Sequence, residues 1–210
     1  VVIIVAALVI SLIVKTFFFR AFYIPSGSME PTLEIDDRIF VNLMVPGPFD
    51  LQRGDVVVFR DELGWLGPQP DVDLNPVQQT LMFVGLMPDP ANQHLVKRVI
   101  GLPGDTVRCC DAEGRVTVNG VALDETYIAD GAAPSDIPFE VTVPDGKLWV
   151  LGDHRNASAD SRFHQERGEG FIDLDDVEGT ASVIVWPLDR IGVIDSHEEV
   201  FARLDAGGAQ

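Results

Sequence analysis

A chain of 210 residues holds one domain, with room for at most a small subdomain, and can bury enough apolar surface to fold without disulfide staples. A formal charge of −18 leaves no basic stripe to meet a phosphate backbone or anionic lipid, which excludes nucleic acid and a peripheral electrostatic anchor as expected partners. Apolar and charged content are those of an ordinary globular protein, which excludes wholesale disorder.

The chain opens on an apolar run, residues 1–14, broken only by Ser11 and carrying no charge before Lys15. The run is shorter than the roughly 20 residues that span a bilayer, but it starts at Val1 without a Met and is read as continuing upstream. Phe17-Phe18-Phe19 extends it, Lys15 and Arg20 can snorkel to the interface, and Phe22 and Tyr23 suit head-group depth. A cleavable leader is disfavoured because no small-x-small site follows. A buried core helix is disfavoured because the run has no polar face. An uncleaved anchor over residues 1–20 is the expectation.

From Tyr23 on, the pattern is β. Arg38-Ile39-Phe40-Val41-Asn42, Asp55-Val56-Val57-Val58-Phe59 and Leu95-Val96-Lys97-Arg98-Val99-Ile100 are short runs rich in β-branched residues. Val116-Thr117-Val118 and Val121-Ala122-Leu123 flank Asn119-Gly120, a strong hairpin signal. Residues 139–143 and 148–151 flank Pro144-Asp145-Gly146, and residues 182–186 close the series. Only the charged tail around residues 198–204 shows a helical period. The long segment 61–93 reads as a functional loop; its apolar patch Leu81-Met82-Phe83-Val84, with Trp65 and Leu66, suits either a membrane surface, a substrate groove or a strand over the core. Residues 124–137 read as an exposed polar loop. The adjacent Cys109 and Cys110 leave three states open: a vicinal bridge, a bond to another chain, or free thiols.

The chain has three lysines. Lys15 abuts the apolar run and Lys147 follows a turn, so neither needs a chemical explanation. Strand alternation puts Leu95 and Val99 on the same face as Lys97, and burial among apolar neighbours lowers a lysine's pKa towards that of a general base. Arg98 points to the other face and cannot lose its proton. A serine displayed for such a base stands in Ile24-Pro25-Ser26-Gly27-Ser28-Met29-Glu30-Pro31, although on spacing alone a plain turn joining anchor to domain explains that stretch better. A third polar cluster, residues 152–162, follows an apolar strand directly.

Four blocks, Pro25-Ser26-Gly27-Ser28-Met29-Glu30-Pro31-Thr32-Leu33, Arg53-Gly54-Asp55-Val56-Val57-Val58-Phe59, Lys97-Arg98-Val99-Ile100-Gly101-Leu102-Pro103-Gly104-Asp105 and Gly152-Asp153-His154-Arg155-Asn156-Ala157-Ser158-Ala159-Asp160-Ser161-Arg162, resemble in content and order those of bacterial type I signal peptidases, here a compact, actinobacterial-like member. The resemblance implies a mainly β fold, a signal-peptidase-like β catalytic domain with a small β subdomain, preceded by one N-terminal transmembrane helix. On that reading residues 1–20 are the anchor, 21–105 and 146–200 the catalytic domain, 106–145 the subdomain and 201–210 a flexible tail.

The resemblance further implies Ser28 as nucleophile and Lys97 as general base, with the Ser26 hydroxyl and the Ser28 N–H as oxyanion donors. Ser158 would orient the lysine, while Asp153, Arg155, Asp160 and Arg162 support the site. Pockets for small substrate side chains would draw on Ile24, Pro25, Met29, Leu33, Leu95, Val96 and Ala159. His154, Asn156 and Ala157 stand where some members carry Asn, Asp and Asn. The implied partners are signal peptides of exported preproteins and the lipid bilayer, with no metal or cofactor, for a monomer whose catalytic domain faces the extracytoplasmic side. Two other readings compete: a Ser–His–Asp hydrolase using His154 or His94, and an anchored β-domain that only binds.

Overall fold

Val56, Val57, Val58 and Phe59 are all buried, so the strand that carries them must be covered on both faces. The computed structural model, which describes residues 17–67, 75 and 94–207, places that strand at the centre of the larger of two antiparallel sheets. The strands in chain order are β1 (Phe19–Tyr23), β2 (Arg38–Asn42), β3 (Val56–Arg60), β4 (His94–Gly101), β5 (Thr106–Cys109) and β6 (Val116–Val118). They continue as β7 (Val121–Ala122), β8 (Phe139–Thr142), β9 (Lys147–Leu151), β10 (Ile172–Asp173), β11 (Val177–Trp186) and β12 (Gly192–Val193), followed by helix α1 (Glu198–Gly207). The larger sheet runs β1-β2-β11-β3-β4-β9-β10, with β12 on β11; the smaller runs β7-β6-β5-β8.

Alternation along β3 divides the core. Val57 and Phe59 join Val99, Leu148, Val150 and Trp65 on one face, while Val56 and Val58 join Ile24, Met29, Leu33, Ile39 and Val41 on the other. A third cluster fills the space between the small sheet, Trp149 and α1, with Val107, Val118, Phe139, Phe201 and Leu204 among its members. Asn119 and Gly120 both have positive φ (51° and 80°), as a two-residue hairpin turn matching the strand twist requires. Cys109 and Cys110 form a vicinal disulfide at the end of β5, the first of the states the sequence left open.

Gly101 ends β4 where the two sheets meet. A Cβ there would stand 2.6 Å from Val107 Cγ2 and 2.9 Å from Val143 Cγ2. Gly101→Ala is therefore expected to destabilise the protein by about 1–3 kcal/mol through overpacking. Urea denaturation should show a lower midpoint at unchanged slope.

Four expectations need correction. The tail expected over residues 201–210 is not free: α1 runs to Gly207, and Phe201 and Leu204 are buried in the core, because the helical period there gives an apolar face to pack. Phe19 and Arg20, assigned above to the end of the anchor, belong to β1, where Phe19 pairs with Asn42 and Arg20 with Val41. An apolar aromatic run serves an edge strand as well as a helix end, and pairing with β2 decides between them. Residues 1–16 of the expected anchor lie outside the described residues, among which no helix is long and apolar enough to cross a membrane. Trp65 is not a surface or groove residue: it is buried, edge-on to Phe59 and stacked on His164. The patch at residues 81–84 lies outside the described residues. Finally, the loop 124–137 is not wholly exposed, because Tyr127 and the Glu125 carboxylate are buried.

Candidate active site

Ser28 owes its position to two buried anchors, Ile24 and Met29, on either side of a tight turn. The backbone is extended at Ser26 (φ −136°, ψ 151°) and then enters one 3-10 turn, Gly27–Met29, closed by Glu30 N–H donating to Gly27 O at 3.1 Å. Ile24 N–H donates to Asp37 O and Leu33 N–H to Met29 O, both at 2.9 Å, so the turn is held from both ends. With Met29 pinned in the core, the Ser28 side chain is left half-buried at the surface.

Lys97 reaches this serine from the middle of β4, where it pairs in register with Val57 of β3. Its Nζ donates to Ser28 Oγ at 2.7 Å and to Val96 O at 2.9 Å. The residue is 2% exposed. Burial lowers the ammonium pKa to about 8, against the opposing pull of the Asp160 and Asp153 carboxylates. The arrangement pairs a hydroxyl with an amine that gives up its proton near neutral pH, which is the equipment for nucleophilic attack by serine. Ser26 Oγ lies 3.5 Å from Ser28 Oγ on the exposed side of the turn.

Beneath the pair lie three buried arginine–carboxylate pairs. Arg98 donates from Nε to Asp153 Oδ1 (2.9 Å) and from Nη2 to Asp153 Oδ2 (2.7 Å), with both side chains fully buried. Its Nη1 donates to Gly54 O and Asp195 O, its guanidinium lies 4.3 Å above the Tyr127 ring, and the Thr32 hydroxyl donates to Asp153 Oδ2 at 2.6 Å. Arg155 donates to Glu125 Oε2 at 2.8 Å and to Pro134 O at 2.9 Å, tying the 152–162 segment to the loop 124–137. Arg162 donates to Asp160 Oδ1 (2.8 Å) and Arg155 O (2.6 Å), and Asp160 Oδ2 accepts from Gly152 N–H (3.0 Å). Desolvation alone would penalise each charge, but every carboxylate here is met by a guanidinium in two-point geometry or by further N–H donors. Burial and the neighbouring Glu125 carboxylate push the Tyr127 hydroxyl well above its usual range, so it stays neutral.

Gly152 allows the closest approach of the three segments. A Cβ at that position would run into the Ser28 carbonyl oxygen and the Ser158 hydroxyl. The Ser158 hydroxyl is buried and makes no hydrogen bond among the described residues, so the amine-orienting bond expected of it is absent; Val96 O takes the amine's second N–H. Of the expected pocket residues, Ile24, Met29, Leu33 and Val96 share one apolar cluster. Leu95 packs in the cluster on the opposite face of the sheet, while Pro25 and Ala159 are exposed.

Arg98, Glu125, Thr32 and Tyr127 were missing from the sequence reading of the site. Only the juxtaposition of Arg98 with Lys97 offered a signal, since a second cation on a central strand requires a buried anion. His154 points its Nδ1 to Gly27 O (3.1 Å), and His94 packs edge-on against Phe22. Asp195, His197 and Glu199 could bring ligand atoms within 4.8 Å of one another. They stand at the start of α1, where Asp195 Oδ1 accepts from His197 N–H and the helix dipole opposes a cation.

Comparison with known proteins gives a consistent set of similarities. The family described as signal peptidase, peptidase S26, matches residues 1–186. Signal peptidase I of Mycobacterium tuberculosis is 40% identical over 217 residues, covering 91% of this chain and 73% of that protein. Probable signal peptidase I-2 of a Synechocystis species is 37% identical over 195 residues, covering 93% of this chain and 76% of that protein. Among solved structures, a signal peptidase I from Enterococcus faecalis is 27% identical, covering 64% of this chain and 98% of that one, with a TM-score of 0.42.

Proposed function

Because the chain belongs to the signal peptidase family, peptidase S26, and is a serine endopeptidase of that kind, we propose that it removes N-terminal signal peptides from exported preproteins with Ser28 as nucleophile and Lys97 as general base. The observation that carries this reading is the 2.7 Å contact between Lys97 Nζ and Ser28 Oγ, made by an amine that burial holds at a pKa of about 8.

The neutral amine accepts the Ser28 hydroxyl proton as Oγ bonds to the scissile carbonyl carbon. Lys97 then passes that proton to the departing amide nitrogen as the C–N bond breaks. Water enters and gives a proton to Lys97 while its oxygen bonds to the acyl carbon; the ester bond breaks, and Lys97 returns that proton to Ser28 Oγ and is neutral again. The Ser28 N–H and the Ser26 hydroxyl face the developing oxyanion, and an oxyanion donor typically contributes about 10²–10³ in turnover. Ser158, with its unengaged hydroxyl beside Ser28, holds the amine once Ser28 is acylated. Asp153, Arg155, Asp160 and Arg162 act as supports, keeping the 152–162 segment in place.

Pro25, Ala159 and Val96, over a floor of Ile24, Met29 and Leu33, form the shallow apolar surface that receives small substrate side chains. Residues 1–16 anchor the enzyme in the membrane that holds its substrates, with the catalytic domain outside, which raises the local substrate concentration. The test is cleavage of a purified preprotein by wild type, Ser28→Ala and Lys97→Ala, with folding checked by circular dichroism. Both folded variants should fail to cut. A Lys97→Ala enzyme cutting at near the wild-type rate would remove the dyad and reopen histidine-based or non-enzymatic readings.

A further inference from the structure

The peptide that joins Gly27 to Ser28 has two polar ends. Its N–H is the Ser28 N–H that the reading above assigns to the oxyanion, and the present inference rests on that reading. Its carbonyl is Gly27 O, which points the opposite way because the amide is planar and trans. Whatever fixes Gly27 O therefore aims the Ser28 N–H.

Two donors meet on Gly27 O. Glu30 N–H donates at 3.1 Å from within the turn, and His154 Nδ1 approaches at 3.1 Å from the 152–162 segment. A carbonyl oxygen only accepts, so Nδ1 carries the proton in this contact. The next carbonyl is held by the same residue, since His154 N–H donates to Ser28 O at 3.2 Å. Thus His154 grips two successive carbonyls of the nucleophile turn, one with its ring and one with its backbone. The Glu30 carboxylate folds back over Gly27, where a Cβ would stand 2.7 Å from Glu30 Oε1, and its Oε2 lies 3.6 Å from His154 Nδ1.

We propose that His154 is a positioning residue for the oxyanion hole: its Nδ1–H holds the Gly27–Ser28 peptide in the orientation that presents the Ser28 N–H to the transition state. A hydrogen bond on the carbonyl end also polarises the amide and makes its N–H a better donor. Because charge builds on the oxyanion only in the transition state, loss of the grip lowers kcat and leaves KM nearly unchanged. The remaining Glu30 N–H keeps the turn folded, so the effect is partial.

The experiment compares wild type with His154→Leu, His154→Asp and His154→Asn on a soluble preprotein, with thermal unfolding of each. Asparagine keeps an N–H near the position of Nδ1; aspartate is its isostere with an acceptor in that place. The expected result is a fall in kcat of about 10–100-fold for Leu and Asp, a fraction of what a lost oxyanion donor gives. KM should stay within about threefold, and Asn should restore kcat to within about fivefold of wild type. The inference is overturned if His154→Leu keeps wild-type kcat, or if Asn and Asp lose activity equally. It is also overturned if KM carries the loss. Ser28→Ala, run alongside, separates the two readings. A Ser28→Ala enzyme that still cuts defeats the dyad, whereas an inert Ser28→Ala enzyme with an unaffected His154→Leu enzyme defeats only the role of His154.

Discussion

Lys97→Met is expected to lower preprotein cleavage by about 10²–10⁴-fold and, at pH 7, to give a protein more stable than the wild type. Lys97 is 2% exposed and burial is the first cause of its lowered pKa, about 8. An unfolded lysine has a pKa of about 10.4, so the difference of two to three units corresponds to roughly 3 kcal/mol against the folded state wherever the group is charged. The folded pKa is below the unfolded one, so the sign is clear. The penalty is complete below pH 8, is relieved as pH rises towards 10.4, and is gone above it. Methionine carries no charge and has a similar shape. It leaves Val96 O without the amine's bond, which returns about 1 kcal/mol. A net gain of about 1–2 kcal/mol at pH 7, shrinking towards pH 10, should be seen in urea denaturation at the two pH values.

The same shift sets the activity profile. At pH 7 about one enzyme in ten has the neutral amine, so wild-type kcat/KM should rise about tenfold between pH 7 and pH 9. Removal of the base should lower turnover by about 10²–10⁴-fold at either pH. A Lys97→Met protein that is less stable than wild type by a pH-independent amount would mean that the lysine carries no buried charge.

Asp153→Ala is expected to be the most damaging replacement for the fold. Its carboxylate neutralises Arg98 with two bonds and accepts from the half-buried Thr32, and the Arg98 and Asp153 side chains are fully buried. Breaking such a pair from one side leaves the guanidinium uncompensated and typically costs about 3–5 kcal/mol. That is a large share of the 5–15 kcal/mol or so that holds an ordinary domain together. The double replacement Arg98→Met with Asp153→Leu removes both charges and should recover a substantial part of the loss, in thermal unfolding followed by circular dichroism. If the double variant is merely as unstable as the sum of the two singles, packing rather than the charge pair carries the stability. Cleavage should be lost in the single variant even where some protein remains folded, because residues 153 and 154 are neighbours and His154 N–H holds Ser28 O.

Much of the central sheet was legible because its signal is local. β2 follows its apolar, β-branched run between Arg38 and Asn42, and β4 could be read from its own β-branched run, with Leu95 and Val99 on the face of Lys97, although Arg98 on the other face is buried as well. The Asn119-Gly120 hairpin was legible for the same reason, since its turn demands residues that accept positive φ. What escaped the sequence depends on pairing at a distance. Glu125 stands in a polar, proline-containing loop and reads as solvated, yet it meets Arg155 thirty positions away. Arg98 and Asp153 are 55 positions apart. Such partners are chosen by how strands stack, and a carboxylate looks the same in sequence whether it faces water or a guanidinium. The short strands β10 and β12, two residues each, carry too few side chains to show a period. Phe19 and Arg20 were misassigned because an aromatic run is equally at home at a bilayer interface and on a sheet edge.

The proposed site is assembled from three stretches of chain: the turn at Ser28, the strand around Lys97, and the segment from Gly152 that holds the turn in place. A ribosome releases them in that order, so the nucleophile emerges long before the residues that hold its backbone in place. Until residues 152–162 have packed, Ser28 is an ordinary serine hydroxyl, and Lys97, still hydrated, is an ordinary ammonium. On the proposed dyad, cleaving activity is expected only after the last of the three stretches has packed. A chain released only as far as residue 151 lacks the contacts that hold the Ser28 backbone and is expected to be inert towards its siblings.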